Sequence, residues 1–245
     1  VYILDDDTAG VWRMGGASRW WLHLSLASLA RDLEVCGNRL LLLRGKGDQE
    51  LQRLVEKTGA CAVYCSRAYE PSAAAEEARI KSRFEGSGVA FKRFGGALLR
   101  EPEDIRTQSG GAYKVYTPFW RALTQGLAQG LAQGLAVPAP APAPSHIPAT
   151  ARASRGLALE ALDLLPGKPD WAGGLRETWT PGEAGAHARL ERFLKDAMAD
   201  YARLRNRPDL EATSRLSPHL HFGEITPGMC WYRAGQAAGS IPGGD

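Results

Sequence analysis

Between Asp209 and Glu224 the chain packs three hydroxyls and a guanidinium into five residues: Thr213, Ser214, Arg215, Leu216 and Ser217, with Pro218 directly behind them. Hydroxyls and an arginine at that density form the donor set of an oxyanion site. Ser217 is expected to cap a helix that Pro218 opens, because the first helical position has no use for an N–H. The free amides of that helix start would face Thr213, Ser214 and Arg215, a setting suited to a phosphate or pyrophosphate. The same residues also suit a plain capped helix whose hydroxyls serve only their own backbone, and local chemistry leaves both readings open. His219 and His221 follow at a spacing of two, which points them apart on a helix, and no carboxylate or thiol stands well placed beside them. They read as structural or polar-surface residues and not as metal ligands.

The loop needs elements on both sides to hold it. Upstream, Glu183 to about Arg205 predicts one long helix with Leu190, Leu194, Ala197, Tyr201 and Leu204 as its apolar stripe. Pro208 stops it, and Arg203, Arg205 and Arg207 crowd its end. Downstream, Thr226-Pro227 repeats the cap-plus-proline device and predicts a helix through Trp231, Tyr232 and Ala238.

The first half alternates short apolar runs with helical patterns. Val1–Leu4, Arg39–Leu43, Ala60–Cys65 and Val89–Phe94 read as strands. Between them lie a helix capped by Ser18 with the stripe Leu22, Leu26, Leu29 and Leu33, a helix capped by Asp48, and a helix opened by Pro71 and running to about Phe84. Glu77 and Lys81 are placed in that last helix as an i, i+4 pair. This alternation predicts a Rossmann-like, doubly wound parallel sheet, α/β in class. The sheet carries no Gly-x-Gly-x-x-Gly, and Gly15-Gly16 and Gly45-Lys46-Gly47 read as turn glycines. Asp5-Asp6-Asp7 reads as a solvated turn, since consecutive residues there point in different directions. From Gln125, Gln-Gly-Leu-Ala occurs three times before an Ala-Pro run, which reads as a linker, with a short amphipathic helix at Leu157–Leu165 in the crossover.

Thr-Ser-Arg-Leu-Ser-Pro-His-Leu-His-Phe-Gly-Glu-Ile at 213–225 resembles the flavin-binding signature of the DNA photolyase/cryptochrome family. Tyr201, twelve residues before Thr213, stands where the family has a flavin-contacting tyrosine. The first half shares the resemblance through Ser18-Arg19-Trp20-Trp21-Leu22, Leu43-Arg44-Gly45, Tyr69-Glu70-Pro71, Leu98-Leu99-Arg100-Glu101-Pro102 and Tyr113–Trp120. Ser66 stands where many members have asparagine, and Lys46-Gly47 where Asp-Pro is more usual. The family's first strand, central in its sheet, would precede Val1, and its loss would leave neighbouring strands without partners. On these grounds both ends of the chain read as cut.

The resemblance is to class I-like deoxyribodipyrimidine photolyases. It implies a photolyase-type α/β domain over 1–124, a linker and crossover over 125–175, and the first helices of an all-α FAD-binding domain over 176–245. It further implies FAD, whose diphosphate would be wrapped by Thr213, Ser214, Arg215, Leu216 and Ser217, with Tyr201 against the cofactor. Arg205 would grip a phosphate of damaged DNA containing pyrimidine dimers. A second antenna chromophore, a folate or a deazaflavin, belongs to the same picture. The activity implied is light-driven repair of cyclobutane pyrimidine dimers by electron transfer from reduced FAD, with no catalytic residue in this chain. The alternatives are a cryptochrome-type photoreceptor or a non-catalytic remnant. Alone, the 245 residues are expected to bind FAD poorly and repair nothing.

Composition adds bounds. A chain that is 44% hydrophobic can bury a core. Thirty basic against twenty-seven acidic residues leave +3, which permits nucleic-acid binding without arguing for it. Cys36, Cys61, Cys65 and Cys230 show no metal spacing. Cys61 and Cys65 are expected to be buried thiols on one strand face, pointing to a reducing compartment. With no signal peptide and no bilayer-length apolar run, a soluble cytoplasmic monomer is expected.

Overall fold

The computed structural model describes residues 1–7, 13–132, 140–148 and 156–239, with side chains through 126 in the fourth helix. The chain divides into two compact units, Val1–Phe94 with Ala143–Ala186, and Gly95–Pro142 with His187–Asp245.

In the first unit β1 (Tyr2–Leu4), α1 (Gly16–Val35) and β2 (Leu42–Arg44) form one β–α–β step, with Tyr2 opposite Leu42 in parallel register. After α2 (Gly47–Thr58), a second step follows through β3 (Ala62–Ser66), α3 (Pro71–Phe84) and β4 (Ala90–Phe94), with Ala62 opposite Ala90. All the pairing is parallel, as the alternation predicts. Among the described residues β1 and β3 are not paired, so the sheet comes as two two-stranded halves.

The core of this unit gathers Leu4, Trp20, Trp21, Leu22, Leu26, Leu42, Val55, Phe84, Leu162 and Leu164. Trp21 sits edge-on to Trp20 and to Trp179, at 6.3 and 5.4 Å between ring centroids. The predicted α1 stripe holds only in part, because Leu29 is exposed. A twenty-residue helix is about 30 Å long and a three-residue strand about 10 Å, so the far end of α1 outruns the sheet.

Several sequence expectations change for local reasons. Ser18 lies inside α1, whose N-cap is Gly15, and Asp48 lies inside α2, whose N-cap is Lys46. Glu77 turns from Lys81 to Arg93 of β4, at 2.6 Å, while also accepting the Ala68 amide. Cys61 is exposed just ahead of β3 and Cys65 only half-buried, so neither is a core thiol.

Asp6 is also no solvated turn residue. Its carboxylate pairs with Arg19 of α1 at 2.7 Å and Arg44 of β2 at 3.5 Å. Those guanidiniums in turn donate to the carbonyls of Asp163 and Leu162, tying the segment 159–164 to the sheet.

In the second unit α4 (Tyr116–Ala132) stays helical through two of the Gln-Gly-Leu-Ala repeats. A period of four lies close enough to 3.6 for the helix to absorb two glycines. Residues 133–139 lie outside the described part. The remaining helices are α6 (Glu183–Asp196), α7 (Tyr201–Leu204), α8 (Ser217–His221) and α9 (Pro227–Ala238), after a short α5 (Gly173–Thr178) in the first unit. The long helix expected over 183–205 is therefore two. The amides of Ala197 and Met198 both turn to the Phe193 carbonyl, which ends α6, and Asp200 starts α7. Thr226 caps α9 as predicted, its Oγ1 accepting the Met229 amide at 3.1 Å.

Candidate functional site: a basic recess beneath the hydroxyl loop

Leu216 and Ile225 are 4% exposed, and the core they enter includes Leu190, Leu194, Ala197 and Ala212. These apolar anchors pin both ends of the segment 212–225 against the second unit. Between them His219 and Glu224, almost fully buried, meet at 2.5 Å between Nδ1 and Oε2. The Glu224 amide also donates to the His219 carbonyl at 2.9 Å. A five-residue helix such as α8 has little stability of its own, so these contacts fix its position.

Directly upstream the backbone turns sharply. Arg215 has φ +51°, the left-handed region, and Leu216 follows at φ −87°, ψ −6°. Successive left- and right-handed residues bring neighbouring amides into one concavity, a nest suited to an anion. A non-glycine residue held there costs about 1–2 kcal/mol, which the surrounding anchors must supply. The N-cap is Leu216, so Ser217 is the first helical residue and Pro218 the second, and no side chain caps the helix. The expected Ser217 cap is thus replaced by a bend made from backbone conformation alone. Among the described residues the hydroxyls of Thr213, Ser214 and Ser217 make no hydrogen bond to the protein.

A cavity of about 100 Å³ opens beside this bend, lined by Thr213, Ser214 and Arg215 on one wall and by Arg189, Arg192 and Phe193 of α6 on the other. Asp196, Ala197 and Glu211 complete the lining, and Glu211, largely exposed, pairs with Arg215 at 3.0 Å. Burial holds Arg189 below the ordinary arginine range, and the adjacent Arg215 and Arg192 charges lower it further against the opposing pull of Glu211. Three guanidiniums thus converge on one small opening whose walls also carry two hydroxyls.

The sequence-derived residues do not all arrive there. Thr213, Ser214 and Arg215 line the recess, whereas Leu216 is core and Ser217 is exposed outside the lining. Tyr201 is 39% exposed and stands edge-on to Phe193 at 5.6 Å, one ring removed from the opening. Arg205 is exposed, its amide bonded to the Tyr201 carbonyl. His221 is exposed while His219 is buried, so the two diverge as expected, but the expectation that no carboxylate stands beside them fails, because Glu224 five residues on folds back to pair with the His219 ring. Arg189 and Arg192 were not legible as site residues. Their i, i+3 spacing beside the apolar stripe was the only available signal, and it matches any solvated helix face.

The strand ends of the first unit are chemically different. Asp5 accepts the Gly47 amide at 3.2 Å at the start of α2, and the Glu76 carboxylate lies against Gly47. Burial raises Glu76 above the usual carboxylate range, and the neighbouring Asp5 and Asp48 charges raise it further. Two carboxylates therefore already lie at that helix start.

Comparison with known proteins gives a consistent picture. The DNA photolyase family model matches residues 1–145. A deoxyribodipyrimidine photo-lyase of Agrobacterium fabrum is 40% identical over 219 residues, covering 89% of this chain and 44% of that protein. Cryptochrome-1 of Arabidopsis thaliana is 27% identical, covering 92% of this chain and 32% of its own. The crystal structure of a bacterial class III photolyase from Agrobacterium tumefaciens superposes with a TM-score of 0.88 at 39% identity, over 99% of this chain and 48% of the other. The chain spans about half the length of the photolyases it matches. Among the described residues no helix is long and apolar enough to cross a membrane.

Proposed function

From the membership of this chain in the DNA photolyase family, we propose that it carries the diphosphate-holding part of a flavin-dependent enzyme that repairs cyclobutane pyrimidine dimers in DNA. The observation that supports this reading is the recess at Thr213, Ser214 and Arg215, whose donors match the charge and hydrogen-bonding needs of a dinucleotide's phosphates. The residues present fit FAD at its anionic tail.

In this reading the Thr213 and Ser214 hydroxyls and the amides of the Arg215–Leu216 nest donate to phosphate oxygens, and Arg215 exchanges Glu211 for them. Leu216 holds the loop in place from the core, and Ser217 contributes through its amide. Tyr201 orients the cofactor edge with Phe193 behind it. Arg205 faces a DNA phosphate and contributes affinity without sequence readout. Bound reduced flavin supplies the light-driven electron that opens the dimer. No acid–base pair is needed from this chain. The two half-sheets of the first unit are read as flanking one central strand of a doubly wound sheet. Damaged DNA is the proposed partner.

A cryptochrome-type photoreceptor is the second reading, favoured by the 27% identity to a plant cryptochrome across 92% of the chain. Light-dependent loss of dimers from irradiated DNA, measured on the full reading frame against a dark control, tests the choice. Repair above the dark control supports the photolyase reading. Stoichiometric flavin without repair supports the photoreceptor.

A further inference from the structure

The second unit also carries an aromatic face that the recess does not use. Tyr116 and Trp120, one turn apart on α4, lie nearly parallel, with 12° between ring planes and 6.2 Å between centroids. Trp231 of α9 stands edge-on to Trp120 at 6.5 Å. Rings that served only to fasten α4 to α9 would be covered, yet Tyr116 is 69% exposed, Trp120 39% and the adjoining Val115 63%. Exposed apolar surface gathered in this way marks a binding face. The charge beside it is one-sided. From Ile105 to Leu159, and again from Pro227 to Ala238, the sequence holds no aspartate or glutamate, although the whole chain has 30 basic against 27 acidic residues. Lys114 stands two residues before Tyr116 and Arg121 directly after Trp120, both exposed. Among the described residues neither forms an ion pair, whereas Arg233 of α9 is neutralised by Glu191 at 2.7 Å.

We propose that Tyr116, Trp120 and Trp231 form a stacking platform for the bases of single-stranded nucleic acid, with Lys114 and Arg121 holding its phosphates. The near-parallel rings of Tyr116 and Trp120 offer flat surface to a base, and the Trp231 edge keeps Trp120 from turning away. Every base has a π-face, so such a platform binds without regard to sequence. The two cations take the backbone, and the lack of carboxylates on both helices leaves nothing there to repel it. An acidic protein would match the charge and make no use of the parallel rings. The platform shares no residue with the recess and does not depend on the flavin reading.

The test is fluorescence anisotropy of a short labelled oligothymidylate titrated with the whole chain at low ionic strength, with an abasic strand of equal length as second probe. Tyr116→Ala and Trp120→Leu are each expected to weaken binding about tenfold, the scale of one base–aromatic stack. Tyr116→Phe keeps the ring and the wild-type affinity. Lys114→Gln and Arg121→Gln each lower the slope of log affinity against log salt by about 0.7, one phosphate's share on a single strand. The abasic strand, with phosphates and no rings, binds at least about tenfold more weakly than oligothymidylate. Thermal melts check folding, and Tyr116→Ala should melt with the wild type because its ring is 69% exposed. No oligothymidylate binding by the wild type overturns the proposal, as does wild-type affinity in both Tyr116→Ala and Trp120→Leu. Equal affinity for the abasic strand also overturns it, because the face then reads charge alone. Loss of binding in Arg205→Gln with full affinity in Tyr116→Ala moves the nucleic acid to Arg205, which removes this inference and leaves the photolyase reading intact. A dimer in sedimentation that Tyr116→Ala dissolves, without oligothymidylate affinity, assigns the face to a second copy and likewise overturns it.

Discussion

Replacing Glu224 by alanine removes the partner that holds His219 in the interior. The pair is 1% and 3% exposed at its side chains, with 2.5 Å between Nδ1 and Oε2. Losing one member of a buried pair costs about 3–5 kcal/mol when it leaves an uncompensated charge, and about 1–3 kcal/mol when it leaves only an unmet hydrogen bond. The Glu224 methylenes add a small cavity term. A loss of about 2–4 kcal/mol is therefore expected, against a total of about 5–15 kcal/mol for a folded domain. Urea unfolding of the whole chain followed by circular dichroism measures it, with the slope unchanged so that the midpoint reports stability. Glu224→Gln keeps an acceptor for the ring nitrogen and should lose about half as much. Asp209→Ala breaks the exposed Arg207 pair and should leave the midpoint unmoved. A midpoint for Glu224→Ala equal to that of Asp209→Ala would refute the claim that the buried pair pins α8.

The remaining predictions concern both units. Asp6 is held below the usual carboxylate range chiefly by its hydrogen bond from Arg19, with Arg44 adding to it. Its folded value lies below its unfolded one, so its contribution is complete above about pH 4 and disappears as pH falls through the folded value. Asp6→Asn should flatten acid unfolding there and cost about 1 kcal/mol at neutral pH, given a side chain one quarter exposed. Gly182→Ala would place a Cβ 2.5 Å from the Ser28 hydroxyl at a backbone φ of +105°, and should cost about 2–3 kcal/mol in the same urea assay. Arg215→Gly relieves the left-handed strain at φ +51°, so stability should change by less than about 1 kcal/mol while pyrophosphate affinity falls at least tenfold.

Elements marked by their own local chemistry were legible in the sequence. Pro71 opened α3 and Phe84 closed it, Thr226-Pro227 started α9, and the four strands fell within a few residues of their apolar runs. Features decided at a distance were not. The apolar stripe runs unbroken from Leu190 to Leu204, yet the helix ends at Asp196 because the Phe193 carbonyl accepts two amides. Ser217 carries every mark of a cap, but the left-handed Arg215 sets the bend one residue earlier. Arg189 and Arg192 gain meaning only when the loop folds back over α6, a contact that no spacing within either segment encodes.

The central claim, that the loop at Thr213–Ser217 holds a cofactor's phosphates, is tested most directly by a crystal structure of the chain soaked in inorganic pyrophosphate. The account predicts phosphorus density in the recess, within hydrogen-bonding distance of Thr213, Ser214 and Arg215. Phosphorus bound elsewhere, with Arg215 still paired to Glu211 and the recess holding only water, would contradict it.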